Sequence, residues 1–218
     1  MLPSLHLVHP HHLARQALKR AFADLPGVTV HAGLIEDLPR IDCIISAGNS
    51  FGLMDGGVDA SIAEFFGPEA QRAVQERIRA EHLGELPVGA CLLLETRRPT
   101  HPFLAYAPTM RVPMDIARTD NVYLALWAAL CTIHRHNRNT DRPIQDVASP
   151  LLGAGAGHVP YAEASRQMAL AYRHALHPPE SLTWPVALAR QESVRYGGDV
   201  GLHLPPEEEP EGDSDSTP

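Results

Sequence analysis

The 218-residue chain has few cysteines and no long apolar segment. Its three cysteines, Cys43, Cys91 and Cys131, lie far apart and show no CxxC spacing. This pattern predicts free thiols in a reducing compartment and argues against disulfides or a zinc cluster. No stretch approaches membrane-spanning length, and the N-terminus lacks the long apolar core of a signal peptide. We therefore expect a cytoplasmic protein with no membrane partner.

Basic residues are missing from the end of the chain. Six acidic residues and no basic ones follow Leu204, so removing them from the net charge of −8 leaves −2 for the remainder. A nearly neutral body gives no strong signal for nucleic-acid binding. The composition, 44% hydrophobic and 20% charged, is typical of a globular protein. We predict one domain over residues 1–188 and an extension over residues 189–218 that is acidic and disordered from about residue 204.

Apolar runs of strand length alternate with segments of helical spacing. Strands are predicted over residues 5–8, 28–34, 41–47, 90–95, 103–107 and 144–152. Helices are predicted over residues 11–23, 58–66, 68–81, 121–136 and 161–176, and the pattern fades after residue 188. This alternation predicts an α/β fold whose sheet is mostly parallel and covered on both faces.

Two glycine-rich loops follow predicted strands. One spans Gly48 to Gly57 and the other spans Gly153 to Gly157. Ligands of open α/β sheets bind at the carboxyl ends of the strands, and glycine-rich backbone can point its N–H groups at an anion. Neither loop carries a complete GxGxxG motif or a Walker lysine. The two loops predict either a diphosphate site or a pair of structural turns.

The residues around the first loop give a more specific indication. The chain reads SAGNS at residues 46–50 and DGGVDASI at residues 55–62. This segment resembles the N-A-A-N-S and G-V-D-x-x-I motifs of macrodomains, the ADP-ribose-binding fold. Residues 153–160 are a looser counterpart of the family's second loop, and residues 104–113 resemble a subfamily of bacterial and phage macrodomains. The resemblance covers roughly residues 28–176 and implies a three-layer α/β/α fold with a mixed, mostly parallel sheet.

The resemblance also implies which residues act on the ligand. In hydrolytic macrodomains, the residue that matches Asn49 contacts the distal ribose, and the one that matches Asp59 orients the attacking water. We therefore predict that Asn49 and Asp59 are catalytic and that the partner is ADP-ribose or an ADP-ribosylated macromolecule. The predicted binding residues are Ala47, Gly48, Ser50, Phe51, Gly56, Gly57, Val58, Gly153, Ala154, Gly155, Ala156, Gly157 and His158.

The predicted catalytic residues also have structural interpretations. Asn49 could satisfy the backbone groups of its own loop, and Asp59 could cap the following helix. Beside a helix N-terminus we expect a low pKa for Asp59, which suits orienting a water more than accepting its proton. Asp55 replaces a glycine of the family loop. Asp55 could contact a ribose or form a turn. We favour the turn and expect the side chain to point away, because a second negative charge would weaken diphosphate binding.

Two features of the family are missing from this sequence. The aspartate that hydrogen-bonds adenine has no acid in register, and the nearest acids are Glu36 and Asp37. The aromatic residue of the second loop is replaced by small residues, which leaves Phe51 or His158 to fill that space. Three functions therefore stay open: hydrolysis of an ADP-ribosyl bond, non-catalytic binding of ADP-ribose or a related nucleotide, or a fold retained without a working pocket.

A group of histidines near the N-terminus invites a metal interpretation. His9, His11 and His12 follow the first predicted strand but include no i,i+4 pair on a helix. A solvated helix start explains them better, so we expect no metal and no cofactor. The sequence does not indicate the acceptor or the oligomeric state.

Overall fold

Six strands form one sheet at the centre of the molecule. The computed structural model describes residues 2–194. The strands are β1 (Ser4–Val8), β2 (Val28–His31), β3 (Cys43–Ser46), β4 (Leu92–Glu95), β5 (Phe103–Tyr106) and β6 (Asp146–Pro150). Their order is β2-β1-β6-β3-β5-β4, and every pair is parallel except β4 with β5. The predicted α/β fold with a mixed, mostly parallel sheet is confirmed.

Helices cover both faces of this sheet. They are α1 (His12–Ala21), α2 (Gly57–Phe66), α3 (Glu69–His82), α4 (Asn121–Asn137), α5 (Tyr161–Leu176) and α6 (Trp184–Val194). Helices α1, α4 and α5 bury their apolar residues against one face. Helices α2 and α3, with a short 3-10 turn at Ile35–Asp37, cover the other.

Strand β3 shows why the sequence predicts a covered sheet. Cys43 and Ile45 pack into the cluster under α4 and α5, whereas Ile44 packs into the cluster under α2 and α3. All three side chains are fully buried. A strand buried on both faces reads as a continuous apolar run, because neither face needs polar residues.

Helix α6 is the element that the sequence does not predict. Only Val194 is buried among its residues, and Trp184 at its start is exposed. So few buried positions leave no apolar stripe at helical spacing. The helix crosses the predicted boundary at residue 188, and Val194 packs into the core under α4 and α5. The predicted disorder from about residue 204 lies outside the described residues.

The cysteines are free thiols, as predicted. Cys43 is buried, and Cys91 and Cys131 are half-buried. Burial raises the pKa of Cys91 to about 12, so this thiol stays protonated at neutral pH. Over residues 2–194, the helices are too short or too polar to cross a membrane.

Candidate functional site

The two glycine loops line one cavity at the carboxyl ends of β3 and β6. These strands are neighbours, so the loops that follow them meet, and the segment after β5 closes a third side. The cavity lining comprises Ala47, Gly48, Asn49, Leu53, Asp55, Gly56, Gly57, Val58, Asp59, Thr109, Met110, Pro113, Pro150, Leu151, Gly153, Gly155, Ala156 and Gly157. Its volume is about 220 Å³. Pockets that hold a whole drug-sized ligand are larger, about 300–1,000 Å³. The cavity therefore fits one portion of a long ligand.

Asp59 is the buried carboxylate of this cavity. It is the third residue of α2, whose N-cap is Gly56, and it is only 7% exposed. The hydroxyl of Ser46, at the end of β3, donates a hydrogen bond to its Oδ1. Burial raises the pKa of Asp59 to about 6; the Ser46 hydrogen bond opposes this rise, and the negative charge of Asp55 adds to it.

The expected low pKa of Asp59 is therefore wrong. Its carboxylate does not cap the helix, since Gly56 holds the N-cap position and no side chain makes a capping bond there. Loss of hydration outweighs the favourable end of the helix dipole. A carboxyl with a pKa near 6 is a better proton acceptor at neutral pH than an ordinary aspartate.

Asn49 organises its own loop. Its Oδ1 accepts the backbone N–H groups of Phe51 at 3.1 Å and Leu53 at 3.3 Å. Its Nδ2 donates to the Leu53 carbonyl at 2.7 Å. An amide NH₂ has two hydrogens, so after this bond one hydrogen of Nδ2 is available for a ligand. The structural role weighed for Asn49 is present, and it leaves room for a contact with a ligand.

Tyr106, on β5, is a site residue that the sequence analysis missed. Its hydroxyl accepts a hydrogen bond from the backbone N–H of Asn49 at 3.0 Å and donates one to the Asn49 carbonyl at 2.9 Å. A Cβ added at Gly48 would lie 2.1 Å from this hydroxyl. The glycine that replaces a family alanine at position 48 was the available signal, because it leaves space for a large neighbour.

The second loop is shaped by close packing. Gly153 has φ +71°, a conformation that favours glycine. A Cβ at Gly157 would lie 2.6 Å from the Gly153 carbonyl oxygen and 2.7 Å from Cγ1 of Ile116. The Ile116 N–H also donates to the Gly157 carbonyl at 2.9 Å. These glycines are needed for packing, whereas Gly155 faces open space.

Four predicted binding residues lie outside the lining of this cavity: Ser50, Phe51, Ala154 and His158. The backbone N–H of Ser50, a buried residue, bonds to the segment after β5. His158 is exposed, and its Nδ1 lies 3.5 Å from a carboxylate oxygen of Asp115. Neither Phe51 nor His158 therefore supplies an aromatic wall to the cavity.

The charged residues that line the cavity are acidic. Asp55 and Asp59 line it, and none of its lining residues is basic. Asp55 is exposed and lines the cavity, and its negative charge adds to the raised pKa of Asp59. An anionic ligand would depend on backbone N–H groups for its binding.

The two acids nearest to the expected position of the adenine-binding aspartate lie outside this cavity. Glu36 and Asp37 lie in the 3-10 turn and do not line it. An Oδ of Asp37 accepts the Leu34 N–H at 3.0 Å, so this carboxylate stabilises its own turn.

The N-terminal histidines form an aromatic cluster. The backbone N–H of His11 donates to Nδ1 of His9 at 3.0 Å, and both rings pack near Tyr161, with centroids 5.7 and 5.8 Å away. Within the described part of the chain, no group of three or more His, Cys, Asp or Glu side chains could hold a metal ion.

Comparisons with known proteins agree on one family. The Macro domain family model matches residues 45–168. An uncharacterized protein of Aquifex aeolicus is 32% identical over 127 residues, which are 58% of this chain and 70% of that protein. The macrodomain of Mycobacterium tuberculosis DarG has a TM-score of 0.56 at 18% identity, covering 67% of this chain and 90% of its own. An Oceanobacillus iheyensis macrodomain, solved with ADP, has a TM-score of 0.53 at 19% identity. The match covers 74% of this chain and 86% of that macrodomain. These two structural matches establish the fold.

Proposed function

Because the chain belongs to the macrodomain family, whose members bind ADP-ribose, we propose that its cavity binds ADP-ribose and that the protein hydrolyses the bond between ADP-ribose and an acceptor. The observation that carries the hydrolytic part is the buried Asp59 carboxyl with a pKa of about 6. It lies in the same cavity as Asn49, between the two glycine loops.

The phosphates of the ligand would lie against the glycine loops. Gly56, Gly57 and Gly155 have no atom within 4 Å of an added Cβ, so their backbone is open to a ligand. Backbone N–H groups can hold a diphosphate without a basic side chain. The distal ribose would then lie by Asn49 and Asp59, and the free hydrogen of the Asn49 amide would contact it.

In the proposed chemical step, Asp59 acts as the general base. A water oxygen forms a bond to the anomeric carbon of the distal ribose while the bond from that carbon to the acceptor breaks. Asp59 accepts a proton from the water, and this proton passes to the leaving acceptor. The products are free ADP-ribose and the unmodified acceptor.

The test is the release of ADP-ribose from a mono-ADP-ribosylated substrate as a function of pH. We expect kcat/KM to rise with pH, with a midpoint near 6, and Asp59→Asn to reduce kcat by about 100-fold or more. Asp55→Asn removes an exposed carboxylate from the same cavity and should stay active, with its midpoint at slightly lower pH, because the charge of Asp55 adds to the raised pKa of Asp59. Full activity in Asp59→Asn would overturn the catalytic assignment.

A second function, non-catalytic reading of ADP-ribose, is favoured by one observation. The three hydrogen bonds described for the Asn49 side-chain amide are all made to the backbone of its own loop, and such bonds are typical of a residue with a structural role. A reader would bind ADP-ribose and release none from the modified substrate, and this result would decide between the two functions.

A further inference from the structure

An apolar cavity lies at the opposite edge of the sheet from the glycine loops. Leu2, ahead of β1, lines it together with the last turns of α4 and α5. Because β1, β3 and β6 are parallel, the start of β1 lies far from the loops that follow β3 and β6. The two cavities share no lining residue. This cavity has a volume of about 340 Å³, within the range of about 300–1,000 Å³ that is usual for small-molecule sites.

Apolar side chains form most of the wall of this cavity. Leu130 is buried, and Leu2 and Trp127 are half-buried. Tyr123 stacks parallel to the Trp127 ring with centroids 6.1 Å apart, and the guanidinium of Arg190 lies 5.3 Å from the centroid of the same ring. These contacts hold the indole in place, so the wall offers a fixed apolar surface that can bury the hydrocarbon part of a ligand.

The charged side chains of the cavity are basic. His134 and Arg135, in the last turn of α4, line it and are exposed, and none of its lining residues is acidic. Nη2 of Arg135 donates to the Thr132 hydroxyl at 3.1 Å, and no carboxylate within residues 2–194 forms an ion pair with this arginine. The guanidinium therefore has donors available for an anion.

The positive charge acts on other groups of the cavity. Arg135 and Arg190 both lower the pKa of the Cys131 thiol, although burial outweighs them and the net shift is upward. The pKa of His174, another lining residue, is lowered by burial and by the charges of Arg190 and Arg173. The local field therefore attracts a negatively charged ligand and disfavours a cation.

We propose that this cavity binds a small carboxylate with an apolar body, of the class of medium-length fatty acids. The carboxylate accepts hydrogen bonds from Arg135 and His134, and the hydrocarbon lies against Trp127 and Leu130. A sugar or a diphosphate would leave the apolar wall in contact with water, and a neutral apolar molecule would leave Arg135 without an anion. This site is independent of the proposed ADP-ribose site.

The experiment uses Trp127 as its reporter. The chain has two tryptophans, and the other, Trp184, is exposed, so Trp184→Phe in the full chain leaves Trp127 as the single tryptophan. Its fluorescence is titrated with hexanoate and octanoate, and with 1-octanol and octylammonium as ligands of equal length that lack the negative charge. Arg135→Gln removes the proposed partner of the carboxylate. Arg138→Gln is the matched control, because Arg138 is an exposed arginine at the end of the same helix that does not line the cavity.

We expect saturable binding of octanoate that is about tenfold tighter than that of hexanoate, since each buried CH₂ group should strengthen binding about fourfold. The affinity for 1-octanol should be about fivefold lower or less, and that for octylammonium lower still. Arg135→Gln should weaken octanoate binding about fivefold or more and leave 1-octanol within about twofold, whereas Arg138→Gln should leave both within about twofold. No saturable change at about 10 mM octanoate, equal affinities for octanoate and 1-octanol, or an unchanged octanoate affinity in Arg135→Gln would overturn the inference.

Discussion

Two opposing influences act on the carboxyl group of Asp59. Its burial disfavours the charged form, while the hydrogen bond from the Ser46 hydroxyl favours it. The proposed base needs both. Burial makes Asp59 basic enough to accept a proton, and Ser46 keeps it ionised at neutral pH.

The first prediction concerns Ser46→Ala. Removal of the hydroxyl withdraws a hydrogen bond from the carboxylate form, so the pKa of Asp59 should rise by about one unit. Carboxyl carbon NMR titration measures this change directly, and the ascending limb of kcat/KM should move to higher pH by the same amount.

Ser149→Ala is the matched control for this change. Ser149 is also fully buried near the end of a central strand, β6, but its hydroxyl donates to the Pro150 carbonyl. This control should leave the titration of Asp59 unchanged. An unchanged pKa in Ser46→Ala would show that the hydrogen bond does not tune the carboxyl.

The second prediction concerns stability. The folded-state pKa of Asp59, about 6, lies above the unfolded value of about 3.9. The contribution of this carboxyl to stability is fully present below about pH 3.9 and is lost as the pH rises through 6. Asp59→Asn removes that loss, so its stability relative to the wild type should increase by about 2–3 kcal/mol between about pH 3.5 and pH 8. Urea unfolding at a series of pH values measures the difference; a difference independent of pH would refute it.

Among the elements, β3 and β5 are joined by a close contact that shapes the first loop. Tyr106 is fully buried, and its hydroxyl occupies the space where a Cβ of residue 48 would lie. The same hydroxyl binds both backbone groups of Asn49. The loop geometry thus depends on a glycine on one strand exit and a tyrosine on its neighbour.

The third prediction follows from this contact. Gly48→Ala should lower the free energy of unfolding by about 1–3 kcal/mol, because the added methyl group overlaps the Tyr106 ring. The same change in a Tyr106→Val background should cost much less, which a double-mutant cycle measures.

Gly155→Ala supplies the control for Gly48→Ala. Gly155 is exposed and has no atom within 4 Å of an added Cβ, so alanine fits there and should change the free energy of unfolding little. Additive costs in the double-mutant cycle would contradict the proposed contact.

The sequence predicts the strands, the larger helices and the position of the cavity, because covered strands and glycine loops have strong local patterns. Helix α6 escapes prediction because few of its side chains are buried. The raised pKa of Asp59 also escapes prediction. It depends on burial beneath two loops and on Ser46, 13 residues away, and such packing has no local sequence pattern.

At the scale of the whole molecule, the cavity is separate in sequence from the acidic end of the chain. Its lining residues fall between positions 47 and 157, and the six acidic residues follow position 204. The fourth prediction is that truncation after Leu204 leaves ADP-ribose affinity within twofold at about 150 mM salt, where distant charges are screened. Calorimetry of both chains measures this, and a tenfold change would show that the acidic end takes part in binding.

The whole fold also determines which part of the ligand is enclosed. The cavity at the exits of β3 and β6 encloses about 220 Å³, and the 3-10 turn that carries Glu36 and Asp37 is separate from it. The proposed binding energy is therefore concentrated on the phosphates and the distal ribose. Binding should consequently be less selective for adenine than a site with an adenine-binding aspartate.

The most direct test of the central claim is calorimetric titration of the purified protein with ADP-ribose at about pH 7.5. The account predicts saturable binding with one ligand per chain, and weaker binding of AMP, which lacks the diphosphate and the distal ribose. No detectable heat at millimolar ADP-ribose would contradict the account.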